Sequence, residues 1–94
     1  MKLILRTQAY LEFLEAVDFY NEHSATAAKA FAVELQEVLE DIERNPRRFK
    51  FIHAQTQVAL CPKFPFKVLF RVGRLVEVVA IYHHRRDPQG WIRP

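Results

Sequence analysis

The chain has 94 residues, half of them apolar and 13% aromatic, enough for one domain with a genuine but small hydrophobic core. Fourteen Lys/Arg against eleven Asp/Glu leave a net charge of +3, and the single cysteine, Cys61, excludes an internal disulfide or a multi-cysteine zinc site. Lys2 and Arg6 interrupt any signal-peptide pattern and no apolar run approaches the length of a membrane span, so a cytoplasmic protein with no membrane partner, metal or cofactor is expected.

The modest net charge conceals an asymmetry that appears on cutting the chain at Pro46. Residues 1–45 hold four Lys/Arg against nine Asp/Glu, net −5, whereas residues 46–94 hold ten against only Glu77 and Asp87, net +8. A split on that scale suits a C-terminal half that meets something anionic, either nucleic acid or an acidic protein segment. The plainer alternative is solvated acidic helices beside basic strands.

In chain order, residues 2–6 alternate well enough for a short strand, and Thr7 is placed to cap the helix that follows. In that helix Tyr10, Phe13, Leu14, Val17 and Tyr20 or Asn21 follow the spacing of a buried stripe, with Glu12, Glu15, Asp18 and Glu22 on the wet side, and it ends near His23. Ser24 or Thr26 can cap a second, longer helix, whose stripe of Ala28, Phe31, Leu35, Val38, Leu39 and Ile42 is the clearest periodic signal in the chain. Asn45-Pro46 stops it, because proline pushes the residue before it out of helical geometry. The short link between the helices predicts an antiparallel hairpin.

Residues 47–55 read as a basic, aromatic connection. Residues 56–61 then alternate Thr56, Val58 and Leu60 against Gln57, Ala59 and Cys61, a strand that Pro62 and Pro65 assign to a sheet edge. Residues 66–72 alternate more sharply, Gly73-Arg74 fits a two-residue turn with glycine first, and residues 75–83 are apolar on nearly both faces, as a central strand should be. A simple turn places Phe66, Val68 and Phe70 on one face with Ile81, Val79 and Glu77. The other face then collects Lys67, Leu69 and Arg71 with Tyr82, Ala80, Val78 and Val76, and His84 beyond. One helical layer covers one face, so the helices are expected over Phe66, Val68 and Phe70, leaving the Lys67, Arg71 and Tyr82 face as an open basic platform. A one-residue bulge would exchange the faces.

Six segments carry a resemblance: Thr7-x-x-x-x-Glu12, Glu15-Ala16-x-x-Phe19-Tyr20, Ala30-Phe31, Ile42-x-x-Asn45-Pro46-x-x-Phe49, Phe64-Pro65-Phe66-x-Val68-x-Phe70-Arg71-Val72 and His83-x-x-Arg86-Asp87-Pro88-x-x-Trp91. Their order and spacing resemble the RelE/ParE superfamily of toxins from bacterial type II toxin–antitoxin modules, over most of the chain. The resemblance implies a single α+β domain over residues 1–94 of β-α-α-β-β-β order, with the helical hairpin on one face of a small, mainly antiparallel sheet. It also implies a cognate antitoxin whose segment folds on the toxin surface and through which the pair reaches operator DNA. Two targets remain open under it: DNA gyrase, poisoned without a known catalytic step, or the ribosome with its mRNA, which one branch cleaves. A non-toxic member kept as a co-repressor is a third reading.

RNA cleavage requires a base for the 2′-OH, an acid for the leaving oxygen and fixed cations for the phosphate. The catalytic candidates for that case are Lys67, Arg71, Tyr82, His83, His84 and Arg86, and the candidate surface for target or antitoxin is Lys63, Lys67, Arg71, Tyr82, His84, Arg85 and Arg86. Against these stand bland roles. His83 points to the helix side in the inferred register, and His83, Asp87 and Trp91 together suit a structural clasp at the end of the last strand. Many relatives carry an arginine in the strand before the Phe-Pro bend, where this chain has Gln57 or Val58, and that departure weakens the case for a phosphate-stabilising cluster and leans the reading toward gyrase.

Overall fold

The computed structural model describes residues 1–85. Its elements run β1 (Leu3–Leu5), α1 (Thr7–His23), α2 (Ala25–Arg44), a 3-10 turn over Pro46–Arg48, β2 (Phe51–His53), β3 (Thr56–Leu60), β4 (Phe66–Val72) and β5 (Val76–His83). The five strands form one sheet in the order β1-β5-β4-β3-β2, antiparallel except for the β1–β5 pair, and the helical hairpin packs on one face. This is the α+β architecture expected, with one strand more. β2 is short and exposed throughout, so no buried face marks it in the sequence. By pairing with β3 it moves β3 from the edge to the interior, and the two prolines that suggested an edge fall in the bend after β3 instead.

α2 forms where its stripe predicts. The Ser24 hydroxyl accepts from Ala27 N at 3.2 Å as a true N-cap, and Asn45 closes the other end. Ala28, Phe31, Leu35, Val38 and Ile42 are buried, and Leu39 packs partly against the same core. α1 departs from expectation. Its N-cap is Arg6, which makes no side-chain capping bond, and Thr7 is already the first helical residue. The side it buries carries Ala9 and Ala16, with Phe13, Val17 and Tyr20 partly covered, while Tyr10 at 49% and Leu14 at 38% exposed turn outward. Small residues at the contact allow α1 to lie close on β5, and Glu12, expected on the wet side, turns in instead: its Oε1 accepts from Ile81 N at 2.8 Å.

The β4–β5 hairpin corrects the face assignment for a definite reason. Three residues, Gly73, Arg74 and Leu75, connect Val72 to its partner Val76, rather than a two-residue turn. A bulge follows: Leu69 pairs with Ala80 but Phe70 pairs with Val78, so Val79 has no opposite number. Phe66, Val68 and Phe70 therefore share the helix face with His83, Ile81, Val78 and Val76, and Glu77 moves to the other face opposite Arg71. The helix-side core is aromatic at its centre, with the Phe31 ring 4.9 Å from Phe66 and 5.4 Å from Phe64, and Tyr20 5.1 Å from Phe64.

The face away from the helices is not an open platform at its middle. Val58, Leu69, Ala80 and Tyr82 form a second apolar cluster there, Leu69 at 0% and Tyr82 at 4% exposed. Its exposed and half-exposed side chains flank that cluster: Leu60 and Lys67 on one side, Arg71 and Glu77 on the other. No helix of the described residues is long and apolar enough to cross a membrane.

Candidate functional site

On the face opposite the helices, the strand registers set side chains in three rows across β3, β4 and β5: Leu60, Lys67 and Tyr82; Val58, Leu69 and Ala80; Thr56, Arg71 and Glu77. Lys67 and Arg71 are thus four residues apart on one strand, roughly 13 Å, with a buried apolar row between them. Arg71 is held in place, since its Nε donates to Thr56 Oγ1 at 3.1 Å. Arg6, at the start of α1, reaches over from the β1 side: its Nε and Nη2 both lie 2.7 Å from Glu77 Oε2. Arg6, Gln8, Arg71 and Val79 enclose a cleft of about 200 Å³ beside that ion pair. Neither Arg6 nor Glu77 was singled out from the sequence, and it is the three-residue turn, pairing Arg71 with Glu77 ahead of the bulge at Val79, that brings Glu77 to this face.

The remaining candidates are distributed elsewhere. Tyr82 is on the same face as Lys67, but it is buried, and burial pushes its phenol above the ordinary value of 10.0. His83 lies on the helix face, edge-on to Phe66 with the rings 5.4 Å apart, and its Nδ1 accepts from Arg85 N at 3.1 Å. That bond requires an unprotonated Nδ1. His84 and Arg85 are exposed in the turn after β5, where His84 N donates to Pro65 O at 2.8 Å and ties that turn to the bend before β4. Between α1 and β5 lies a second cleft of about 350 Å³, its apolar lining from Ala16, Phe19, Phe66 and Ile81 and its polar lining from Glu12, Glu15, His83 and Arg85. The candidates Arg86, Asp87 and Trp91 fall outside the described residues, and with them the larger part of the expected clasp.

The bend before β4 is built by a residue that sequence reasoning missed. Glu34, on α2 and only 8% exposed, receives the backbone N–H groups of Lys63 and Phe64 on one carboxylate oxygen, both at 2.9 Å. Its signal was present: position 34 lies three residues after Phe31 and four before Val38, inside the buried stripe. Lys63 is exposed and contributes its backbone rather than its ammonium to this arrangement. Nearby, burial first and the Glu34 carboxylate second push the Cys61 thiol from 9.0 up to about 12. Tyr20 is raised by burial and then by Cys61 and Glu34. Gln57, one of the two positions where relatives carry an arginine, is turned to the helix face, its amide donating to Pro46 O at 2.7 Å and Phe49 O at 2.9 Å. Val58, the other, is in the apolar row.

A helical hairpin on a five-stranded sheet with cations flanking its far face defines a small α+β domain. The chain belongs to the family described as "ParE toxin of type II toxin-antitoxin system, parDE", whose sequence profile matches residues 3–88. Among solved structures it is similar to a chain of the "Chromosomal ParDE TA system from P. aeruginosa", with a TM-score of 0.78 and 16% identity over 88% of this chain and 95% of that one. At that identity the likeness speaks for the fold. No curated protein matches the chain.

Proposed function

We propose that this ParE-family toxin arrests growth by poisoning DNA gyrase, and that a cognate antitoxin neutralises it by folding on its surface. The observation that carries the gyrase reading is the separation of the groups an RNA-cleaving toxin would need. Lys67 and Arg71 flank one face of the sheet, His83 sits on the other against Phe66, and Tyr82, although opposite Lys67, is buried. General acid and base must both reach one scissile bond within hydrogen-bonding distance, and this arrangement does not favour that. The neutral Gln57 and Val58 in β3, in place of the arginine of many relatives, support the same reading.

Contacts to gyrase or antitoxin are assigned to the exposed and half-exposed cations of the basic half, Lys63, Lys67, Arg71 and Arg85, with His84. The solved ParDE system supports an antitoxin partner, and a flexible segment with acidic side chains suits this surface. The test is gyrase supercoiling of relaxed plasmid with the purified protein. Inhibition that added antitoxin reverses is expected, with Arg71→Ala reducing it about tenfold, the scale of one lost charge-assisted contact. Undisturbed supercoiling, together with cleavage of ribosome-bound mRNA, would transfer the protein to the endonuclease branch.

A further inference from the structure

From the geometry we infer that the cleft between Arg6 and Arg71 binds a phosphodiester group of a nucleic-acid strand. Two guanidiniums approach it from different elements, one at the start of α1 and one near the end of β4, on the same sheet face. Each is oriented by a neighbour that leaves part of it unused in that bond: Arg71 gives only its Nε to Thr56, and Arg6 gives Nε and Nη2 to Glu77. Arginine offers five N–H donors in a fixed fork, so donors remain on both sides of the cleft. The charges count to +1, Arg6 and Arg71 against Glu77, which one monoanionic diester brings to neutrality.

A partner's carboxylate fits less well. Glu77 already supplies a carboxylate to Arg6 at 2.7 Å, whereas two guanidiniums across a space of about 200 Å³ suit the several oxygens of a phosphate. Lys67 lies four residues back along β4 on the same face, so a strand leaving the cleft along β4 over the apolar row meets a further cation. Glu77 is then a restraint on affinity. It anchors Arg6 and, standing beside the bound anion, repels it, which ties the two arginines and the glutamate into one testable set.

The experiment measures binding of fluorescently labelled single-stranded DNA and RNA oligonucleotides to the full-length protein across a salt series, with circular dichroism of each variant as a check on folding. Arg6→Ala and Arg71→Ala are each expected to weaken binding about tenfold and to lower the salt slope by about 0.7, the value for one phosphate contact on a single strand. Glu77→Gln is expected to tighten binding about threefold, because it removes a nearby like charge while keeping a group of the same shape. A preference between the DNA and RNA arms identifies the source of the diester. The inference is overturned if the folded arginine variants bind as the parent does, if Glu77→Gln fails to tighten, if the parent binds neither oligonucleotide, or if poly-glutamate displaces them at equal charge concentration. The readout is independent of growth arrest, so this inference and the toxin reading can fail separately.

Discussion

Glu34 holds the bend before β4 by accepting two backbone N–H groups on a single buried oxygen. Replacing it with alanine leaves both donors without that partner, at about 1–3 kcal/mol for a buried unmet group. Glu34→Ala is therefore expected to lower stability by about 3 kcal/mol, and Glu34→Gln, which keeps an acceptor, by about 1 kcal/mol, both read from urea midpoints. Equal losses would show that the two N–H bonds are not what the residue supplies. Cys61 gives a second prediction. Its thiol is held up to about 12 against an ordinary 9.0, so the folded state binds a proton there that the unfolded state releases. The sign follows: this group favours the unfolded chain increasingly as pH rises from about 9 to about 12 and leaves stability untouched below. Cys61→Ala should flatten the loss in that window, and iodoacetamide at pH 8 should label the parent only when it unfolds.

At the scale of elements, α1 is attached to the sheet through alanines. Ala9 is fully buried and Ala16 nearly so, which sets the helix close to β5 and lets Glu12 reach Ile81 N. Ala9→Leu is expected to cost about 1–3 kcal/mol by overpacking, measurable by thermal or urea unfolding, even though leucine favours helix as alanine does. An unchanged midpoint would mean that α1 sits more loosely than described. α2 depends on its cap, and Ser24→Ala should remove about 1 kcal/mol.

These elements also show what a linear reading can reach. α2 was legible because leucine, valine and phenylalanine repeat at helical spacing with polar residues between them. α1 was legible as a helix but not in its buried side, since hydrophobicity favours Tyr10 and Leu14 over Ala9 and Ala16, whereas close packing on a sheet selects for small size. β2 was missed because three exposed residues leave no alternating pattern. The three-residue turn and the bulge at Val79 together decided the faces, and nothing in the run from Leu75 to Ile81, apolar except for Glu77, marks which residue will be the extra one. So Lys67, Arg71, Ala80 and Tyr82 were correctly grouped, while Glu77 was assigned to the helix side and Val76 and Val78 to the other.

Across the whole molecule the charge division seen in the sequence acquires a spatial meaning. Most acidic residues belong to the helical hairpin, and the described cations of the second half belong to the sheet and its connections. An antitoxin segment and a nucleic-acid strand are both anionic candidates for the basic side, and competition between them would couple neutralisation to target binding. The most direct test of the central claim is the state of cells in which this protein is induced without its antitoxin. A gyrase-poisoning ParE toxin predicts growth arrest with filamentation and an SOS response while translated mRNA persists. Unaffected growth, or rapid loss of translated mRNA with replication intact, would contradict it.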